Sequence, residues 1–186
     1  LKRVPACAGM GGGSGDGAAM LLGLNKFWDL RLTDEELLTM AFKLGSDVPF
    51  LLKGGTARGT GRGELLETLP TSSPQWLLIV KPEVSISTAE AYGRFAGTSR
   101  VTSYTMDTVT AHMNAKDFRQ AFISSDNTFE ELMFPVHPEL ASCKQFFLDR
   151  GFPTIMTGSG PTMVVLLEKA LDAIRLQEEI KKAGYN

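Results

Sequence analysis

The stretch VPACAGMGGGSGDGAAMLLGLNKFW, from Val4 to Trp28, constrains the fold of this chain more than any other. Glycines at positions 9, 11, 12, 13, 15 and 17 lead at once into an apolar run. A flexible linker is rarely followed so closely by a tightly apolar helix. A phosphate cradle is. A helix N-terminus leaves backbone N–H groups without partners and carries a partial positive charge. Glycine lets an anion come close to those donors and adopts the positive φ angles of an anion nest. The pattern predicts a helix over 14–28, capped by Ser14 or Asp16 and buried nearly all round, with Ala18, Leu21, Leu22 and Trp28 at helical spacing. Ser14 adds a hydroxyl for a phosphate or a metal. No Gly-Lys-Ser/Thr follows, so this is not a P-loop. Pro5 and the glycine spacing exclude a dinucleotide-binding fingerprint.

The 186 residues are 43% hydrophobic and 22% charged, within the range of globular proteins. A formal charge of −2 gives no general attraction to nucleic acid or an anionic membrane. No apolar run has the length of a membrane span. Cys7 and Cys143 lack CxxC spacing and read as free, buried thiols of a cytoplasmic protein. His112 and His137 lack metal-ligand spacing and read as solvated or satisfied side chains. The absence of a leading Met and the abrupt ends give the expectation of a piece of a longer protein.

TDEELLTMAFKLG predicts a second helix, with Thr33 and Glu36 as a capping box and Gly45 as its stop. VPFLLKGGTARGTGRGELLETL reads as a strand, a Gly-Gly turn and one or two further short strands. PTSSP, Pro70 to Pro74, is the strongest boundary signal. Beyond it WLLIVKP predicts a buried strand. Helices are expected around Ser87–Phe95, Thr105–Asn114, Lys116–Phe122 and Phe129–Phe134, and over HPELASCKQFFLDRG. TIMTGSGPTMVVLLE predicts a strand, a tight Gly-Ser-Gly turn and a second strand, and Lys169–Ala183 a last helix. This order suits an α+β sandwich with helices on one face of an antiparallel sheet.

VPACAGMGGGSGDGAA resembles the second signature motif of the GHMP kinases, and MTGSGPTMVVL is similar to their third. LGSDVPFLLKGGTARGTGRGE and VKPEVSISTAEAYGRF resemble one branch of that family in particular. The resemblance implies an α+β, two-domain architecture. Residues 1–70 would be the remainder of a ribosomal-protein-S5-like, ATP-binding N-terminal domain. Residues 75–186 would be a ferredoxin-like C-terminal domain. It implies an ATP- and Mg²⁺-dependent kinase of isoprenoid precursor biosynthesis, cytoplasmic or in the plastid stroma of a plant. In that branch the acceptor is the 2-hydroxyl of a CDP-linked methylerythritol. Acceptors of the mevalonate, homoserine or sugar type, or binding without catalysis, are the alternatives.

The resemblance assigns the nucleotide phosphates to Pro5, Ala6, Cys7, Ala8, Gly9, Met10, Gly11, Gly12, Gly13, Ser14 and Gly15, with Ser14 also near the metal. Asp47 would be the catalytic aspartate. From the residues alone, Asp47 stands between a helix stop and an extended segment enforced by Pro49, a rigid junction that aims one carboxylate. Thr88 and Tyr92, four residues apart, would hold the cytidine-bearing substrate, with Tyr92 stacked on the base. Gly158, Ser159 and Gly160 would lie close to the transferring phosphate. The sequence departs from the branch at Gly15 and Gly17, where serine and alanine are usual; glycine there weakens the helix start by about 1 kcal/mol relative to alanine. The resemblance also implies that a lysine partner for Asp47 and a cytosine-clamping aromatic precede Leu1.

Overall fold

The computed structural model describes residues 6–63, 65–95 and 106–183. Its contacts divide the chain into two units: Gly11–Thr71, and Leu1–Met10 together with Ser72–Asn186. Pro5, one of the expected phosphate-loop residues, lies outside the described residues.

The first unit holds helices α1 (Gly12–Phe27), α2 (Asp34–Leu44) and α3 (Val48–Lys53), then strands β1 (Ala57–Thr60) and β2 (Leu65–Thr68). The α2 start follows from its sequence. The Thr33 side chain accepts from the Glu36 N–H, and Glu36 accepts from the Thr33 N–H at 2.8 Å. The hydrogen bonds from Thr33 hold the Glu36 carboxyl below its ordinary range. The strands pair antiparallel, with Ala57 opposite Thr68 and Thr60 opposite Leu65.

Two expectations fail here. Residues Val48–Lys53 form a helix, not a strand. A proline in the first turn costs a helix nothing, because its missing N–H would have had no intrahelical acceptor. Val48, Leu51 and Leu52 then share one face, which packs with Ala18, Leu21 and Ala41. The other correction concerns α1. It is not buried all round: among its residues only Ala18 is fully buried, and Phe27 is 82% exposed. Its packing partners α2 and α3 meet one face, while Met20, Leu22 and Phe27 remain open to solvent. Apolar residues on every side of a helix do not choose a face; neighbouring elements do.

The second unit contains β3 (Trp76–Val80), α4 (Thr88–Phe95), α5 (Met106–Asn114), α6 (Phe118–Ile123), α7 (Thr128–Met133), α8 (Pro138–Leu148), β4 (Thr154–Met156), β5 (Met163–Leu167) and α9 (Ala170–Lys182). The three strands form an antiparallel sheet in the order β3-β5-β4. Trp76 stands opposite Leu167, and Thr154 opposite Val165. Helices α8 and α9 pack on this sheet. Met163, Val165 and Leu167 alternate along β5 into the core, the period-2 signature of a strand. Leu140, Cys143 and Phe147 meet them from α8 at helical spacing, with Leu176 and Ile180 from α9. The α+β sandwich expected from the element order is the one observed. The strand expected to be buried, β3, exposes Trp76, Leu77 and Ile79; Leu78 and Val80 face the core, so Leu77 and Ile79 fall on the opposite face of the sheet.

Both cysteines are free, as expected, but Cys7 is exposed and only Cys143 is buried. Burial pushes the Cys143 thiol up from 9.0 to about 11. Below pH 9 the folded and unfolded chains both keep this proton, so Cys143 leaves stability unchanged. As pH rises from 9 through about 11 the unfolded chain ionises first, and stability falls. In the native protein at about pH 8, a thiol reagent is expected to titrate Cys7 at once and Cys143 only after denaturant is added. Two fast thiols without denaturant would contradict that burial. His137 is not the satisfied histidine expected. Its Nε2 is buried without a hydrogen-bond partner, 3.7 Å from Glu90 Oε1.

Candidate active site

In the first unit, α1 begins two residues earlier than its sequence suggests. Gly11 is the N-cap in left-handed conformation (φ 61°), and the Gly15 N–H to Gly11 carbonyl bond of 2.8 Å opens the ladder. Ser14 and Asp16 lie inside the helix and not at its N-cap, Gly11 has no side chain to cap it, and no acidic residue occupies the first turn. The Gly12, Gly13 and Ser14 amides therefore precede the first intrahelical bond, at the positive end of a 16-residue helix. Gly13 is exposed, and a Cβ placed there would meet nothing within 4 Å. Ser14 is half-buried on this turn.

Asp47 belongs to the same unit. It occupies the N-cap of α3, yet its carboxylate makes no capping bond and is exposed. Its backbone carbonyl carries the helical connection instead, accepting from the Leu51 N–H at 3.2 Å. The expected extended segment after Asp47 is thus a helix start. The junction is rigid for another reason: Val48 and Pro49 are buried on one side of Asp47, and Gly63 backs closely onto Ser46 on the other. A Cβ on Gly63 would lie 3.2 Å from the Ser46 carbonyl oxygen.

In the second unit, the Gly158-Ser159-Gly160 turn connects β4 to β5. Its base is closed by the Thr157 N–H to Thr162 carbonyl bond of 2.8 Å. Residues at the beginning of the glycine stretch dock on it. The Thr157 hydroxyl donates to the Gly9 carbonyl at 3.2 Å. The two backbones meet so closely that neither tolerates a side chain. A Cβ on Gly158 would lie 2.6 Å from the Gly9 carbonyl oxygen, and one on Gly9 would run into the Thr157 carbonyl oxygen. Both glycines have positive φ, 67° at Gly9 and 54° at Gly158. Ala8 beside them is buried, whereas Cys7 and Met10 are exposed.

Thr88 and Tyr92 share α4, and both are exposed. The Tyr92 ring sits edge-on to Phe129 of α7, with centroids 5.1 Å apart, so it is held without being a core residue. An open cleft of about 420 Å³ lies against Phe129, Asn127, Thr157 and Gly158. Among the described residues no group of three His, Cys, Asp or Glu side chains is disposed to hold a metal.

Sequence reasoning missed Asn127, Glu130 and Lys144, which hold the exit of β4. The available signal was the N-x-x-E spacing at the start of a short apolar helix. It reads as an ordinary capping pattern, and only the partners across the fold give it another meaning.

A glycine-headed helix start in the first unit and a Gly-Ser-Gly turn between antiparallel strands in the second stand where the two sequence motifs fall. Residues 1–55 match the N-terminal domain of the GHMP kinases and residues 114–186 their C-terminal domain. The chain belongs to the GHMP kinase family. It is 40% identical over 181 residues to a 4-diphosphocytidyl-2-C-methyl-D-erythritol kinase of Exiguobacterium sibiricum, covering 97% of this chain and 63% of that protein. The same name is carried by a Bacillus cereus relative, 40% identical over 167 residues, covering 89% of this chain and 57% of the relative. A solved 4-(cytidine 5'-diphospho)-2C-methyl-D-erythritol kinase superposes with a TM-score of 0.79 at 28% identity, over 97% of this chain and 65% of that one. A homoserine kinase from Cytophaga hutchinsonii shares the fold, with a TM-score of 0.76 at 20% identity over 97% of this chain and 63% of that one. The chain thus spans less than two thirds of the length of the curated relatives it matches.

Proposed function

We propose that this chain carries catalytic parts of an ATP-dependent kinase that phosphorylates the 2-hydroxyl of 4-diphosphocytidyl-2-C-methyl-D-erythritol, a step in the non-mevalonate route to isoprenoid precursors. The observation that carries this reading is the uncapped N-terminus of α1, in the same unit as an exposed, uncapped aspartate. The names of relatives at 40% identity supply the acceptor.

Phosphoryl transfer needs little covalent chemistry from a protein; positioning and charge stabilisation do most of the work. The Gly12, Gly13 and Ser14 amides bind the nucleotide phosphates, and the absence of a carboxylate from that first turn leaves their field unopposed. In the second unit, Gly9 and the 158–160 turn form another glycine-lined surface. Asp47 orients the acceptor hydroxyl and takes its proton as the bond to phosphorus forms. Tyr92 presents its free face to the cytosine, with Thr88 one turn away as a hydrogen-bonding group.

Mg²⁺ fits the donor set. This ion commonly uses one or two protein oxygens and completes its shell with substrate phosphates and water, and the half-buried Ser14 hydroxyl on the phosphate-facing turn is such an oxygen. When bound, the ion neutralises charge on the transferring phosphate. No helix among the described residues is long and apolar enough to cross a membrane. On its likeness to the bacterial kinases, we place the enzyme in the cytoplasm.

The test offers the full-length protein ATP with the CDP-linked methylerythritol, homoserine or mevalonate. Phosphate is expected on the cytidine-bearing acceptor alone. Tyr92→Ala should weaken that acceptor by about 5- to 150-fold, the range of one base–aromatic stack, with ATP affinity unchanged. Tyr92→Phe should keep most of the affinity. Preference for homoserine or mevalonate would overturn the substrate assignment. Intact acceptor affinity in Tyr92→Ala would remove Tyr92 from the site.

A further inference from the structure

The edge strand β4 has β5 on one side only. On its other side, among the described residues, no strand satisfies the backbone of Met156. Side chains of α7 do so instead. Asn127 Nδ2 donates to the Met156 carbonyl at 2.6 Å and to the Gly158 carbonyl at 2.8 Å. Glu130, one turn along, accepts the Met156 N–H on Oε1 at 2.7 Å. Its other carboxylate oxygen pairs with Lys144 of α8. Asn127 Oδ1 meanwhile caps α7 by accepting the Phe129 N–H at 3.0 Å. Both ends of the Asn127 amide are thereby committed, and flipping it would turn its oxygen against two carbonyls.

These bonds stand at one place, the strand exit immediately before the Gly158-Ser159-Gly160 turn. The residues that follow that exit, Thr157 and Gly158, are the docking surface of Gly9. Glu130 is only 8% exposed, so its charge is held by specific partners and not by water. A buried carboxylate merely filling space has cheaper apolar substitutes. This one aligns a backbone N–H at the point where the strand becomes a loop.

We infer that Asn127, Glu130 and Lys144 are positioning residues for phosphoryl transfer: they act as a side-chain substitute for a fourth strand and fix the 158–160 turn against Gly9. The inference rests on the proposed kinase reading. None of the three touches the reacting atoms; they act through Met156 and Gly158. Thr157 completes the arrangement from the loop itself, through its hydroxyl bond to Gly9.

Asn127→Asp isolates the clamp from the cap. The carboxylate still accepts the Phe129 N–H, so α7 keeps its start, but it has no N–H for the Met156 and Gly158 carbonyls. In the full-length protein, kcat per folded molecule is expected to fall at least about 10-fold, since small misplacements of a reacting group are costly. KM for the cytidine-bearing acceptor should stay within about 3-fold, because α4 is untouched. Amide hydrogen exchange should rise at Gly158, Ser159 and Gly160 and stay unchanged along β5. Lys144→Arg, which keeps the charge pair with Glu130, should retain most of kcat where Lys144→Met does not. A folded Asn127→Asp protein with kcat near normal, or with unchanged exchange at the turn, overturns the inference. If the unsubstituted protein phosphorylates none of the acceptors, the kinase reading itself fails. The clamp is then judged by exchange alone, and unchanged exchange still overturns it.

Discussion

Asp47→Asn is expected to lower turnover at least about 10²-fold, the low end for loss of a general base, while leaving ATP and acceptor affinity almost unchanged. The structure makes this substitution unusually clean. The Asp47 side chain makes no capping bond to α3, so the helix does not depend on its charge. The local backbone is held by the Leu51 N–H to Asp47 carbonyl bond and by buried Val48 and Pro49, all of which asparagine leaves in place. Asparagine is as acceptable as aspartate at an N-cap, so stability should hold. Loss of activity can then be assigned to the missing proton acceptor. The measurement is kcat and KM for both substrates, beside a melting curve. Near-normal turnover in a folded Asp47→Asn protein would make the carboxylate peripheral.

Gly9→Val should act in the opposite way, through the fold. A β-branched residue at φ 67° is a backbone outlier in its own right. The left-handed conformation costs a side-chain-bearing residue about 1–2 kcal/mol. Crowding adds to that, because a Cβ on Gly9 would run into the Thr157 carbonyl oxygen and lie 2.9 Å from both the nitrogen and the oxygen of Gly160. Overpacking of that kind typically costs about 1–3 kcal/mol. Together the two effects lower Tm by roughly 10 °C for a unit of this size, and ATP binding should be lost with the docking of the loop. Gly13→Ala is the control. Space around Gly13 is open, so the fold gains helix propensity, while a methyl on the phosphate-facing turn obstructs the ligand. ATP affinity should fall there without any fall in Tm. If Gly9→Val melted within about 2 °C of the parent, the Gly9–Thr157 contact would not exist in solution.

The contrast between these two glycines marks how far sequence could be read. Both belong to one glycine-rich run, and nothing in their neighbours separates them. Gly13 is needed, on the proposed reading, for what it leaves open to a ligand. Gly9 is needed for what already touches it, a turn 148 residues further along the chain. Local patterns were legible wherever the cause was local. The Thr33–Glu36 capping box, the alternation along β5 and the helical spacing of Leu140, Cys143 and Phe147 each express a period or a hydrogen bond within a few residues. Errors came where a local rule had two outcomes. Pro49 bars its predecessor from a helix interior but suits a first turn, and the apolar face of Val48, Leu51 and Leu52 selected the helix. Asn127 and Glu130 were readable as a cap; their bonds to Met156 and Gly158 depend on where β4 ends.

The sequence by itself determined the family, the α+β class and the order of elements beyond Pro74. These rest on hydrophobic period, turn chemistry and motif, all short-range properties of a chain. Tertiary structure alone decided which apolar faces were covered, leaving Phe27 and Trp76 in solvent while burying Leu140 and Met163. It also decided that Gly9 docks on Thr157, and that Glu130 spends its charge on Lys144 and a strand exit. Burial and long-range hydrogen bonding depend on which surfaces meet, and a one-dimensional pattern specifies the surfaces without specifying their partners.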